Sequence, residues 1–157
     1  MSSDPVIRIK HLYISPGHNY FGHHGRPAGE NAIIEVEAIH CLEGRGIEGD
    51  RFLDFKPDYK GQITFFEHEV YERLCAQFGV RDKAPSVLRR NVVTAGVSLP
   101  SLIGKEFTIQ GVRFFGTGES APCYWMDQAF APGAEEAMKG NGGLRAKILC
   151  EGMLRQG

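Results

Sequence analysis

Apolar and polar residues alternate through Val6-Ile7-Arg8-Ile9-Lys10-His11-Leu12-Tyr13-Ile14, the period of two that a half-buried strand requires. Ser15-Pro16-Gly17 ends the run. Alternation returns over residues 32–40, with Ile34, Val36 and Ala38 predicted on one face and Glu35 and Glu37 on the other. Residues 61–66, 92–94 and 144–150 are further short β-rich runs. Residues 107–109 and 112–115 flank Gln110-Gly111, which predicts a tight hairpin. A four-residue period starts near Glu67: Val70, Leu74 and Phe78 fall on one side, Tyr71 and Cys75 beside them, and Gly79 supplies the stop. Ser86 is placed to cap a short turn through Arg90. Residues 133–139 suggest a short helix, broken by Asn141-Gly142-Gly143. The strands do not alternate regularly with helices, which disfavours a parallel βαβ sheet. The expected fold is mainly β, a mostly antiparallel barrel or sandwich of six or seven strands with a few short α-helices. No repeat or linker divides the chain, so residues 1–157 read as a single domain.

Composition adds three constraints. Twenty of 157 residues are glycine, against a usual share of about 7%, and their spacing is irregular. They mark positions of unusual backbone conformation or close approach. Eighteen Lys+Arg against 19 Asp+Glu leave a formal net charge of −1, which disfavours a nucleic-acid backbone as partner and still permits a local basic pocket. The four cysteines, at 41, 75, 123 and 150, form no CxxC pair and fit neither a disulfide framework nor a zinc site. The sequence MSSDPVIRIKHLYI shows no apolar signal-peptide region, and no run approaches the ~20 apolar residues of a membrane span. The expectation is a cytoplasmic protein with reduced thiols and no membrane partner.

Four groups of residues could carry chemistry. Cys123 lies in Gly118-Glu119-Ser120-Ala121-Pro122-Cys123-Tyr124-Trp125, just after a proline and two residues from the sole tryptophan. Its thiolate would be a nucleophile and a soft-metal ligand; the competing reading is a small buried hydrophobe. Arg89-Arg90-Asn91 combines two guanidinium groups able to clamp an anion with an amide that donates and accepts; surface ion pairing explains the arginines equally. Asn141-Gly142-Gly143-Leu144-Arg145 could form a backbone nest for an anion or a plain turn, and in Gly49-Asp50-Arg51 the aspartate could orient Arg51 or cap the turn. His18, His23 and His24 share a long glycine-rich loop, but their spacing is no familiar metal pattern, and packing or pocket lining competes with ligation. There is no GxSxG, no phosphate-binding P-loop and no dinucleotide fingerprint.

Several of these motifs fall into one order. Gly46-Ile47-Glu48-Gly49-Asp50-Arg51-Phe52 is followed by Gln62-Ile63-Thr64, Leu88-Arg89-Arg90-Asn91-Val92-Val93 and Leu102-Ile103-Gly104-Lys105-Glu106-Phe107. Phe115-Gly116, Pro122-Cys123 and Gly142-Gly143-Leu144-Arg145-Ala146-Lys147-Ile148-Leu149 complete the string. In this order the chain, from about Ile7 to Gly152, resembles the MOSC domain, the module at the C-terminus of molybdenum cofactor sulfurases. The resemblance implies a β-barrel fold and a role for Cys123, either carrying sulfur as a persulfide for metal–sulfur centres or ligating molybdenum held by a pterin dithiolene. It implies that Arg89 and Asn91 hold the pterin or its phosphate, with Arg51 and Arg145 as further anion contacts. The sulfurases carry a pyridoxal phosphate domain, for which this chain has no room. The expected partner is therefore a cysteine desulfurase or other sulfur donor or, if the protein reduces N-hydroxylated substrates with molybdenum cofactor, an electron-donating reductase. A non-catalytic interaction domain is the remaining alternative.

Overall fold

A computed structural model describes residues 7–15 and 33–157; His18, His23 and His24 lie outside these residues. The chain runs through strands β1 (Arg8–Ile14), β2 (Ile34–Glu35), β3 (Ala38–Leu42), β4 (Gly46–Ile47) and β5 (Ile63–Glu67), then helix α1 (His68–Phe78). There follow β6 (Val92–Ala95), the hairpin β7 (Glu106–Ile109) and β8 (Val112–Glu119), helices α2 (Tyr124–Ala129) and α3 (Ala134–Met138), and strands β9 (Leu144–Ile148) and β10 (Gly152–Arg155). Short 3-10 turns occupy Pro85–Leu88 and Leu99–Leu102.

The mainly β fold with short helices is the one the sequence predicts. Among the described residues the strands close no single ring. They form a seven-stranded sheet in the order β2-β1-β6-β5-β9-β8-β7 and a three-stranded sheet in the order β10-β3-β4. Pairing is antiparallel except between β5 and β6, which run parallel and are joined through α1. That one crossover is a local exception to the antiparallel expectation.

Phe65 and Phe66 show why β5 sits centrally. Adjacent strand residues point to opposite faces, and these two are 0% and 1% exposed. Phe65 meets Phe107 and Phe114 edge-on at 5.6 and 5.4 Å, in a core that also takes Ile39, Cys41 and Leu154 from the small sheet. Phe66 lies in a second core with Val70 and Leu74 of α1, Met126 of α2 and Met138 of α3. The large sheet is thus sandwiched between the small sheet and the helices, and each fully buried phenylalanine contributes roughly 1.5–3 kcal/mol of apolar transfer.

The expected helix is present, with Gly79 as its left-handed C-cap at φ 65°. The hairpin turn is also as read: Gln110 and Gly111 both have positive φ, 51° and 84°, as a type I′ turn demands. The phase of residues 32–40 is different. A bend at Glu37 breaks the run, Ile34 is 44% exposed, and the buried side chains are Ile39 and Cys41. Ser86 caps nothing: Ala84 precedes the 3-10 turn and the turn has no side-chain cap.

His40 on β3 ties the small sheet to its surroundings. Its Nδ1 lies 2.8 Å from Glu48 and its Nε2 2.7 Å from Glu151. Hydrogen bonding to Glu48, then to Glu151, raises its pKa above the ordinary 6.5. A raised histidine pKa stabilises the fold fully below the unfolded value, and the contribution disappears as pH rises through the folded value. NMR titration should place the His40 midpoint above 6.5, and either Glu48→Gln or Glu151→Gln should lower it.

Candidate functional site

β8 delivers the chain to Ser120, whose N–H donates to Gly143 O at 2.8 Å. Pro122 and Cys123 follow, and Cys123 is the extended residue (φ −136°, ψ 178°) from which α2 starts. Its side chain is partly exposed and lines a cleft of about 350 Å³. The same cleft is lined by Arg51, Arg89, Arg90, Asn91 and Arg145. Cys123 and the four residues that the resemblance assigns to an anion, Arg51, Arg89, Asn91 and Arg145, therefore border one space. Among the described residues no carboxylate lines it, so in a chain of net charge −1 the arginines form a localised positive pocket.

The other cysteines differ. Cys41 is fully buried and its thiol is pushed up to about 12, mainly by burial. Cys75 and Cys150 are partly buried and pack against the second and first cores. Reactivity belongs to the thiolate, so Cys41 is the least reactive position of the four by burial.

Arg89 and Arg90 are consecutive yet do different work. Arg89 ends the 3-10 turn in the left-handed region (φ 61°), uncommon for a residue with a side chain. That reversal seats its guanidinium carbon 3.8 Å above the centre of Trp125. Trp125 is itself held by its indole N–H donating to Val87 O at 3.1 Å. The buried Arg90 donates to the carbonyls of Gly142 (2.8 Å), Leu88 (3.0 Å), Ser120 (2.9 Å) and Ala121 (3.4 Å). It clasps together the segments before Cys123, before β6 and before β9.

Asn91 is bonded within the protein. Its Oδ1 accepts from the Thr64 N–H and hydroxyl, both at 3.0 Å. Its Nδ2 donates to Tyr13 O at 3.3 Å and lies 3.5 Å from Asp50. It fixes the cleft floor by joining β1, β5 and the Asp50 turn. Asp50 accepts from the Ser15 N–H (2.9 Å) and the Phe52 N–H (3.3 Å), closing the turn that presents Arg51. Burial raises the Asp50 pKa, opposed by the hydrogen bonds from Ser15 and Phe52.

Gly142 and Gly143 are not an open nest. The Gly142 N–H donates to the Glu119 carboxylate at 3.0 Å. A Cβ on Gly142 would meet Ser120 O at 2.4 Å, and one on Gly143 would meet Phe65 O at 2.3 Å. These glycines are required for close approach between β9, β5 and the loop leading to Cys123. Sequence reading missed the aromatic lining of the cleft: Phe52 and Tyr59, which pack on each other, and Tyr124 and Trp125. Their available signal is position, since each lies within two residues of an arginine or cysteine of the site, or of Gly61.

The family model described as MOSC domain matches residues 22–157. Comparison with curated proteins finds no match. The YuaD protein from Bacillus subtilis superposes with a TM-score of 0.73 at 17% identity, covering 98% of this chain and 94% of that one. YiiM from Geobacillus stearothermophilus gives 0.68 at 14% identity over 96% of this chain and 72% of that chain. YiiM from Escherichia coli gives 0.63 at 16% identity, with 96% and 65% covered. Identities this low establish likeness of fold. Among the described residues no helix is long and apolar enough to cross a membrane.

Proposed function

The chain belongs to the MOSC domain family, and from that premise we propose that it is a binding and transfer module that holds molybdenum cofactor in the arginine-lined cleft, carries sulfur on Cys123, or does both. One observation carries this reading: among the described residues, a partly exposed thiol and four arginines share a cleft that no carboxylate lines. The donor set fits the group. A phosphate-bearing pterin is an anion, for which guanidinium groups are the preferred partners. Thiolate is a ligand suited to a soft metal–sulfur centre. When bound, the cofactor would supply a molybdenum centre able to exchange oxygen or sulfur ligands and electrons.

The protein's own residues have definable parts in this. Arg89, Arg51 and Arg145 would neutralise the anionic end of the ligand. Arg90 holds the loop that presents Cys123, and Asn91 holds the floor. Phe52, Tyr59 and Tyr124 give the cleft apolar walls that limit water. As a sulfur carrier, the Cys123 thiolate attacks the outer sulfur of a donor persulfide. The donor S–S bond breaks, a new S–S bond forms on Cys123, and the donor leaves as thiolate, with no net oxidation. A cysteine desulfurase is the class of protein that makes such a donor. An electron-donating reductase would be the partner in the molybdenum-ligand version, which turns over N-hydroxylated substrates.

The test is metal, pterin and persulfide analysis of protein exposed to molybdenum cofactor or to a desulfurase with cysteine, beside Cys123→Ser. The wild type should retain cofactor or acquire a persulfide, and the variant should lose the persulfide entirely and retain at least tenfold less molybdenum. Equal molybdenum and sulfur contents in the two proteins overturn the reading. Consumption of a hydroxylamine by holo-protein with a reductase selects the molybdenum-ligand version.

A further inference from the structure

Arg145 reaches the cleft from β9, and three features converge on it. Its guanidinium carbon lies 5.7 Å from the centre of the Tyr59 ring. That ring packs against Phe52 at 5.6 Å and Phe55 at 4.9 Å, so it is held from behind. The Thr117 hydroxyl, at the β8 bulge between Gly116 and Gly118, reaches the carbonyls of Lys60 (2.6 Å) and Arg145 (3.0 Å) and locks the two backbones side by side. Between them is Gly61. A Cβ there would lie 3.1 Å from Arg145 Nε and 3.4 Å from the Tyr59 ring. Gly61 has no positive φ, unlike eleven other glycines among the described residues. Its backbone would accept any residue; only the space it leaves to Arg145 requires glycine.

We propose that Tyr59 and Gly61 are positioning residues that seat Arg145 as an anion-binding group of the cleft, and that this seat sets the affinity for the ligand's anionic part. The inference rests on the reading of the cleft as an anion site, and deepens it. The ring, 5.7 Å from the guanidinium carbon, limits where that group can swing, and a charged hydrogen bond depends on direction as well as distance. A methyl at 61 pushes the flexible Arg145 end by a few tenths of an ångström without touching the backbone. The effect should therefore appear in binding and not in folding.

The experiment is an NMR titration of the whole protein with inorganic phosphate, following the Arg145 side-chain Nε–H and the dissociation constant. Gly61→Ala should weaken phosphate roughly three- to tenfold and shift the Arg145 Nε–H signal before any phosphate is added. Tyr59→Leu should weaken binding similarly, and Tyr59→Phe, which keeps the ring, should restore it. In an Arg145→Ala background, Gly61→Ala should change affinity no further, because it acts through that side chain. Melting temperatures should be nearly unchanged for Gly61→Ala, so a loss of binding is not a loss of fold. If wild type binds phosphate and Gly61→Ala binds it equally, or if its effect persists without Arg145, the seat is overturned. If the wild type and every variant fail to bind, it is the anion-site reading itself that is overturned, and the seat falls with it.

Discussion

Arg90→Met should destabilise the protein by about 3–5 kcal/mol, seen as a melting temperature lower by roughly 10 °C. Methionine replaces the aliphatic stem but none of the donors. The carbonyls of Leu88, Ser120 and Gly142 then lose their charged partner. Each buried carbonyl left without a donor costs about 1–3 kcal/mol, and hydrogen bonds to a charged group lie at the upper end of the usual range. Water entering from the cleft recovers part of the loss, which keeps the total below the sum. Arg90→Lys should recover little, because one ammonium cannot address carbonyls spread around a planar fork. Denaturant unfolding checks this, and a loss under 1 kcal/mol would show that the clasp is incidental.

The second large effect is expected at Gly143. Its φ of +113° lies outside the regions open to L side chains, and its Cβ would stand 2.3 Å from Phe65 O. The obstacle is backbone of the central strand, which cannot rotate away as a side chain can. Left-handed strain of about 1–3 kcal/mol adds to overpacking of similar size, so Gly143→Ala should cost about 3–5 kcal/mol. Gly111→Ala is the internal control. It also has positive φ (+84°), but nothing lies within 4 Å of its Cβ. It should cost only the conformational part, about 1–2 kcal/mol. Equal losses at the two positions would mean that the contact with Phe65 carries no weight.

These two positions also mark how far the sequence could be read. Arg90 looked interchangeable with Arg89, since nothing in a run of two arginines says that one lies over Trp125 while the other is taken up by backbone carbonyls. Gly142-Gly143 signalled special backbone, which is right. The reason is steric and depends on β5, a segment distant in sequence. Helix α1 was legible because Val70 and Leu74 keep a four-residue period and Gly79 terminates it. Helix α2 was not, because only Met126 of its six residues is buried and Trp125 serves Arg89. Strand β10 buries Leu154 alone and leaves too short a pattern to detect. The phase error at residues 34–41 came from a bend at Glu37, which alternation cannot reveal. The site fared better: Arg51, Arg89, Asn91, Cys123 and Arg145 do border one cleft. Asn91 is tied to Thr64 and Tyr13, however, and a single chain of letters does not distinguish an amide bonded inward from one held out to a ligand.

The place of β9 in the large sheet bears on how the protein is made. It lies between β5 and β8, yet it follows both in the chain. Until it emerges from the ribosome, β5 and β8 have no partner between them, and at 5–20 residues per second that interval lasts on the order of seconds. Cys123 precedes β9, so the nascent chain carries the thiol before Arg145 and the last wall of its cleft exist. Any chaperone that shields the unpaired edge of β5 during that interval would also delay the moment at which the thiol acquires its charged surroundings. The charged cleft around the thiol is therefore acquired only once β9 has been made.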